Sequence, residues 1–154
     1  MAIRVSAGII VLDPEDRVAL VRHVKPGVYD FWVAPGGGVE DGEDIRAAAA
    51  REALEEAGLI VEPVRLVAIE QLSGVKSGHH VKHWFFARYQ SSPALRADDP
   101  SASRELISDA RWFSRAEMID HEVYPELLAG LFWDDLAAGF REVRILSPRL
   151  MANE

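Results

Sequence analysis

The stretch that decides the fold is GGGVEDGEDIRAAAAREALEEAGL, which runs from Gly36 to Leu59. Its second half predicts a helix from about Glu43 to Ala57, because alanine, leucine and glutamate are strong helix formers. Asp41 and Asp44 can cap the start of such a helix, and Gly58 is a good stop. The glycine run before the helix does not suit a regular element. We expect the backbone to turn there or to approach another group closely.

Three glutamates of this helix share one face. Glu52, Glu55 and Glu56 stand at positions i, i+3 and i+4, so their carboxylates project from one side. Like charges at this spacing repel and cost about 0.2–0.5 kcal/mol per pair, whereas a cluster of oxygen ligands suits Mg²⁺, Mn²⁺ or Ca²⁺. A solvated surface is the ordinary alternative for an acidic helix face. The upstream glycines and the alanine-rich opposite side, which can pack tightly on a sheet, favour the cation site.

Segments rich in β-branched and alternating residues on both sides of this helix predict strands. The predicted strands are Ile3–Leu12, Arg17–His23, Trp32–Ala34, Val61–Leu72, Val81–Tyr89 and Asp109–Phe113. Ser114 to Glu117 fits a capping box at the start of a short helix. Pro125 to Ala138 predicts a second long helix, and the tail after Pro148 is expected to be frayed. With no repeat or linker in the sequence, we expect one α/β or α+β domain over residues 1–154.

The composition is that of a globular protein and limits its partners. Hydrophobic residues make up 49% and charged residues 27% of the sequence. A formal net charge of −8 argues against electrostatic binding to a nucleic-acid polymer, although a bound divalent cation can invert the charge of a local site. The sequence has no apolar run long enough to span a membrane and no cysteine for a disulfide. We expect a cytoplasmic protein.

The spacing of glycines and glutamates resembles the signature of the Nudix hydrolase (MutT-like) family. That signature is a glycine, five residues, a glutamate, seven residues and then Arg-Glu-U-x-Glu-Glu-x-Gly-U, where U is a bulky aliphatic residue. Every glycine and polar position of it is filled between Gly37 and Leu59. The single departure is Ala53, where the signature asks for a bulky aliphatic residue, and this concerns packing behind the helix. The resemblance implies an α/β/α sandwich with a mixed central sheet.

The resemblance also implies a metal site on the helix. Glu52, Glu55 and Glu56 would be the metal-binding carboxylates, and the carbonyl of Gly36 or Gly37 would add a further ligand. Glu52 would also be the residue of the signature that acts on the nucleophilic water. The implied cofactor is Mg²⁺, with Mn²⁺ as a substitute, because such an ion lowers the pKa of water and clamps phosphate oxygens.

Three further acidic or basic residues have roles implied by the family. Glu43 and Arg51 would pair and fix the glycine loop against the helix. An acid outside the signature often completes the metal site or serves as the base, and Glu105 is the candidate here. A solvated loop acid is the alternative for Glu105. The implied reaction is hydrolysis of a phosphoanhydride bond in a nucleoside diphosphate-linked or nucleoside triphosphate substrate.

Candidates for substrate binding lie near the presumed cleft. Four basic residues could hold a substrate phosphate: Arg4, Arg22, His23 and Lys25. Three aromatic residues before the glycine run could stack on a base, although packing inside the protein is their commoner role: Tyr29, Phe31 and Trp32. Three histidines resemble a zinc cluster, but they alternate between strand faces and lack a fourth ligand: His79, His80 and His83.

Two other functions stay open at this point. One is a non-catalytic Nudix-fold sensor that binds nucleotides, which usually has a degraded signature. The other is an unrelated domain whose acidic helix binds Ca²⁺ structurally. The segment Ser73 to Lys76 lacks the proline that marks ADP-ribose hydrolases of the family, which disfavours that substrate. Homodimers are frequent in the family, and a homodimer is compatible with this sequence.

Overall fold

A computed structural model of the chain shows a mixed β-sheet with helices packed on it, and it describes residues 2–74, 78–97 and 107–151. The strands are β1 (Ile3–Leu12), β2 (Val18–Lys25), β3 (Tyr29–Val33), β4 (Gly36–Gly38), β5 (Arg65–Gly74), β6 (Gly78–Arg88), β7 (Ile107–Phe113), β8 (Val123–Tyr124), β9 (Arg144–Ile145) and β10 (Arg149–Leu150). The helices are α1 (Ile45–Ala57), α2 (Arg115–Met118) and α3 (Leu131–Ala138), with a 3₁₀ helix at Glu126–Ala129. In these ranges no helix is long and apolar enough to cross a membrane.

The sheet is organised around β1. This strand pairs in parallel with β6 over its whole length. On its other side it pairs with β4, where Ala7 lies opposite Gly37, and with β2 at Leu12. The strand order is β10-β5-β6-β1-β2-β3-β8, with β4 on β1, β7 on β2 and β9 on β5. The glycine strand β4 therefore lies beside the middle of β1, next to α1.

Buried side chains form two clusters, one on each face of the sheet. Ile9 and Val11 of β1 belong to the cluster under α1, whereas Ile10 and Leu12 belong to the opposite one, as the alternation of a strand requires. The second cluster is built on large aromatic residues: Trp32, Trp84, Phe86, Phe113 and Phe132. The predicted layered fold with a mixed central sheet is confirmed.

The signature helix begins and ends close to the predicted residues. Asp44 is its N-cap, and its carboxylate accepts hydrogen bonds from the amides of Arg46 and Ala47. Gly58 ends the helix in the left-handed conformation at φ 72°, which glycine adopts without strain. The predicted capping box of the short helix is present, since the side chain of Ser114 and that of Glu117 each bond to the other's backbone amide.

The predicted second long helix, Pro125 to Ala138, is wrong. The chain forms a 3₁₀ turn and then α3, and the two are separated at Gly130, whose φ of −161° and ψ of −68° are not helical. The indole N–H of Trp133 donates to the carbonyl of Leu128 at 2.8 Å. That carbonyl would otherwise accept from the backbone in a continuous helix, so a side chain replaces the helical bond at the break.

The glycine run and the chain end also differ from expectation. The expected irregular loop at Gly36–Gly38 is a short strand, because its backbone pairs with β1. The tail expected to be frayed contains β10, which pairs in parallel with β5 at Leu72 and Ser73. β3 starts at Tyr29, earlier than the strand predicted at Trp32–Ala34. The differences at β4 and β10 come from pairing with a strand distant in sequence, which local composition does not specify.

Candidate active site

The position of α1 is set by its small residues. Ala48, Ala49, Ala53 and Ala57 are buried against β1 and its neighbours. Alanine allows the helix to lie close to the sheet, so the glutamates on the other side are held near the backbone of β4. Ala53 fits this close packing, and the departure from the family signature at this position is a matter of packing, as expected.

Two glutamates of the helix are buried beside the glycine strand. Glu52 is 3% exposed and Glu56 is 2% exposed. The amide of Gly36 donates a hydrogen bond of 2.9 Å to Oε1 of Glu56. A side chain at Gly37 would place its Cβ only 2.5 Å from Oε1 of Glu52. The glycines therefore make room for carboxylates to lie directly against the backbone, as the close approach predicted from the sequence requires.

Arg51 lies at the centre of the remaining acidic groups. Its guanidinium bonds to both carboxylate oxygens of Glu43, at 2.8 and 2.9 Å, and to the carbonyl of Gly38 at 3.0 Å. The same side chain reaches Glu52 at 3.0 Å and Glu55 at 3.2 Å. The hydrogen bonds from Arg51 lower the pKa of the Glu43 carboxyl, and the pKa of Arg51 is raised in return. The structure thus brings together the pair that the sequence predicted.

The three signature glutamates do not converge on one point. Across residues 2–74, 78–97 and 107–151, no three histidine, cysteine, aspartate or glutamate side chains are gathered closely enough to hold a metal ion. Glu52 and Glu55 instead hold the guanidinium of Arg51. The donor set still suits a hard divalent cation, because it consists of carboxylates and nearby backbone carbonyls, and the missing side chain at Gly37 lets the Glu52 carboxylate lie against that backbone.

A lysine that sequence reasoning missed lies next to these glutamates. Lys82 of β6 stands opposite Glu70 in the register with β5, and its ammonium is 4.3 Å from the centre of the Trp84 ring. Burial lowers the pKa of Lys82, and the carboxylates of Glu56 and Glu70 oppose that shift. The signal in the sequence is a lysine two positions before Trp84, and therefore on the same face of the strand as that buried aromatic residue.

Lys82 lines a cavity of about 280 Å³ that also borders Gly36. The aromatic side of this cavity includes Tyr29 and Phe31, and the ring of Phe31 stacks on His23 with centroids 5.3 Å apart. Arg149 of β10 also contributes to the lining. The cavity therefore places an aromatic wall and two cations beside the buried glutamates.

Three of the four basic residues predicted to hold phosphate do not line this cavity: Arg4, Arg22 and Lys25. Arg22 forms a bidentate ion pair with Asp30, at 2.9 and 2.6 Å. Arg4 borders a separate depression near the loop that contains Glu43. Lys25 is exposed at the end of β2. The fourth, His23, lines the cavity.

Most of the other predicted residues take part in packing or in local hydrogen bonds. Trp32 is 3% exposed and packs on Phe113 with ring centroids 4.7 Å apart, so the packing alternative is correct for it. The three histidines bond to serines or to the backbone, and within the described ranges they form no metal cluster: His79 to Ser73, His80 to Ser6 and His83 to the Ser6 carbonyl. Glu105 lies outside the described residues.

Comparison with known proteins agrees with this geometry. The sequence model of the NUDIX domain matches residues 2–131. The chain is 30% identical over 109 residues to the 8-oxo-dGDP phosphatase NUDT18 of Mus musculus, covering 71% of this chain and 32% of that protein. It is 57% identical over 65 residues to the RNA pyrophosphohydrolase of Dinoroseobacter shibae, covering 42% of this chain and 40% of that protein. A solved NUDIX hydrolase from Nitrosomonas europaea matches with a TM-score of 0.62 and 27% identity, over 92% of this chain and 93% of that one.

The chain belongs to the Nudix family, since the family model covers most of it. It spans about a third of the length of the NUDT18 relatives that it matches. The features shared with the family are the fold and the glutamate-bearing helix, and the likeness to NUDT18 does not extend to the rest of that longer protein.

Proposed function

We propose that this chain is a divalent-metal-dependent hydrolase that cleaves a phosphoanhydride bond in a nucleoside diphosphate-linked or nucleoside triphosphate substrate. The observation that supports this most is the pair of buried glutamates, Glu52 and Glu56, held against the backbone of Gly36 and Gly37. Buried carboxylates are costly unless a positive group compensates them. A complete set of signature glutamates in such a position favours catalysis over a purely structural role.

Glu52, Glu55 and Glu56 would hold the cation, which is Mg²⁺ or Mn²⁺, with the carbonyl of Gly36 or Gly37 as a further ligand. A divalent ion bound there would supply Lewis acidity and lower the pKa of the attacking water. We expect Glu52 to accept the proton of that water. Arg51 pairs with one oxygen of Glu52 and one oxygen of Glu55, so the second oxygen of each carboxylate could hold the ion while these pairs remain.

Arg51 and Glu43 would position the site without touching the substrate. Their bidentate pair and the bond from Arg51 to the Gly38 carbonyl tie the glycine strand to α1. This connection fixes the distance between the backbone of β4 and the glutamates. Precise placement of that kind matters because a small displacement of catalytic groups lowers the rate strongly.

The cavity beside Gly36 is the proposed place of the nucleoside. Tyr29 and Phe31 supply flat apolar surface for a base, and the neighbouring His23 extends that surface. The names of the matched relatives include an 8-oxo-dGDP phosphatase and an RNA pyrophosphohydrolase. The first name describes a phosphatase that acts on a nucleoside diphosphate, which supports this substrate class for the chain, and the second describes a pyrophosphohydrolase that acts on RNA.

The test is phosphate or pyrophosphate release from a panel of nucleoside diphosphates, triphosphates and diphosphate-linked sugars, with Mg²⁺, Mn²⁺ or EDTA. Glu56→Gln keeps an oxygen that can accept from Gly36 but removes the charge, so the fold should be retained and turnover should fall at least about a hundredfold. Glu62→Gln, on an exposed residue, is the matched control. Equal turnover by wild type and Glu56→Gln, or turnover unaffected by EDTA, would contradict the proposal.

A nucleotide-binding module without catalysis is the second candidate. The observation in its favour is that Glu52 and Glu55 both pair with Arg51. Among the described residues, the signature carboxylates do not meet at one point. Such a module would bind nucleotides in the same assay mixtures without releasing phosphate. Calorimetric titration with the nucleotide panel measures binding, and the release assay shows whether hydrolysis follows. The two measurements together separate the two functions.

A further inference from the structure

Two cations line the side of the cavity formed by β5, β6 and β10, and the buried carboxylate of Glu70 is close to both. Glu70 is 2% exposed and lies opposite Lys82 in the strand register. Its Oε2 atom is 3.3 Å from Nε of Arg149. Arg149 and Lys82 both line the cavity. Glu70 is thus shared by Arg149 and Lys82, and both of these cations border the same cavity.

Arg149 is held in place on several sides. Its guanidinium lies 3.9 Å from the centre of the Tyr124 ring and pairs with Glu70. Glu70 is itself fixed by a hydrogen bond of 3.2 Å from the indole N–H of Trp84. A guanidinium has five N–H donors in a rigid plane, so one that is anchored in this way can still present donors to an anion.

Lys82 occupies space that two glycines leave open for it. A Cβ at Gly8 would lie 2.9 Å from Cε of Lys82, and a Cβ at Gly36 would lie 2.8 Å from both Cε and Nζ. Any larger residue at either position would displace the lysine stem. The ammonium is therefore built into the wall between Gly36 and the Trp84 ring, next to the glutamates of α1.

We propose that Lys82 and Arg149 form a two-cation subsite that takes a phosphate group of the substrate beside the glutamates of α1. This inference rests on the proposed function and deepens it, because it names the residues that hold the phosphate chain next to the proposed metal ligands. The two cations come from β6 and from the last described strand, so β10 becomes part of the substrate site.

The position of Lys82 gives the proposal a distinctive consequence. Its charge lies close enough to Glu56 and Glu52 to interact with both. A positive charge at this place attracts an anion but opposes a divalent cation on the same glutamates. Removing it should weaken binding of a phosphate compound and strengthen binding of the metal. Damage to the fold would weaken both.

The test uses methylenediphosphonate, a pyrophosphate analogue whose bridging carbon prevents hydrolysis and which has no base. Isothermal titration calorimetry measures its affinity, first in EDTA and then with Mg²⁺, for wild type, Lys82→Gln, Arg149→Gln and the control Arg141→Gln, on an exposed residue. Mg²⁺ alone is titrated into the same four proteins, and thermal melting checks that each is folded. The two substitutions in the cavity should weaken binding of the analogue about tenfold each. Lys82→Gln should bind Mg²⁺ several-fold more tightly, and Arg141→Gln should resemble wild type.

The outcomes separate this inference from the proposed function. If the analogue does not bind wild type, or binds Lys82→Gln and Arg149→Gln as tightly as wild type, the subsite is overturned. Weaker binding of both the analogue and Mg²⁺ by a folded Lys82→Gln would also overturn it. Suppose that wild type hydrolyses no nucleotide, while the cavity variants bind the analogue more weakly than wild type and the control do. The subsite then stands and the hydrolase proposal fails.

Discussion

The amide of Gly36 and the carboxylate of Glu56 are joined by a hydrogen bond of 2.9 Å, although the residues belong to a strand and a helix twenty positions apart. The bond fixes the orientation of a buried acid through the backbone, without any side chain from β4. The next glycine along the strand is Gly37, and the carboxylate of Glu52 occupies the space that a side chain at Gly37 would need. The absence of a side chain at Gly37 is therefore a structural requirement of the site.

The first prediction tests that requirement with alanine at Gly37. The new Cβ would lie 2.5 Å from Oε1 and 2.8 Å from the carboxyl carbon of Glu52, so the carboxylate or the strand must move. We expect the free energy of unfolding to fall by about 1–3 kcal/mol, as for other insertions into filled space, and metal-dependent turnover to fall with it. Urea denaturation and steady-state kinetics measure the two effects.

Gly38 provides the matched control for this substitution. A Cβ at Gly38 would meet no atom within 4 Å, and the residue does not have a positive φ. Gly38→Ala should therefore change stability by only a few tenths of a kcal/mol. If Gly37→Ala is as stable and as active as Gly38→Ala, the space beside Glu52 is not required.

The second prediction concerns Glu43 and pH. Its carboxyl is ionised more readily in the folded protein because of the hydrogen bonds from Arg51. A carboxyl with a lowered folded pKa stabilises the fold above its ordinary pKa, here 4.5, and that contribution is lost as pH falls through the folded value. Glu43→Gln should destabilise the protein at pH 7, and the difference from wild type should shrink as the pH falls below about 4.5.

Chemical denaturation at a series of pH values measures this difference. Glu40→Gln is a suitable comparison, because Glu40 is exposed and lies 3.8 Å from the same arginine. An exposed pair of this kind adds little stability. A constant difference between Glu43→Gln and wild type across the acid range would show that the ion pair does not contribute as the geometry indicates.

Much of the helical part of the site could be predicted from the sequence because its determinants are local. The cap at Asp44, the stop at Gly58 and the shared face of the glutamates follow from spacing along one helix. The cavity could not be predicted in this way, because Lys82 and Arg149 meet through the pairing of β5 with β6 and with β10. Strand pairing between distant segments depends on tertiary context more than on composition.

The arrangement of the signature glutamates shows a second limit of prediction from the sequence. Position on one helix face places three carboxylates near each other, but their rotamers follow the nearest cation. In this structure that cation is Arg51, which holds Glu52 and Glu55. A signature specifies which groups are available, whereas the partner that they hold depends on what else is bound.

The third prediction uses the one position that departs from the signature. Ala53 is fully buried against the sheet, so the bulky aliphatic residue that the family pattern asks for would not fit without movement of α1. Ala53→Leu should destabilise the protein by about 1–3 kcal/mol. Ala47→Leu, on an exposed position of the same helix, should be close to neutral. Thermal or urea unfolding of both variants checks this. A stabilised Ala53→Leu would mean that space exists behind the helix.

The fourth prediction tests the aromatic side of the cavity. Phe31 lines the cavity and stacks on His23, so its removal takes away much of the flat surface proposed for a base. Loss of base stacking costs about 1–3 kcal/mol per base. Phe31→Ala should therefore raise the KM for the best nucleotide substrate about tenfold or more, with a smaller change in kcat. Binding of methylenediphosphonate should not change, because that compound has no base. A parallel loss of analogue binding would indicate collapse of the cavity, and an unchanged KM would place the nucleoside elsewhere.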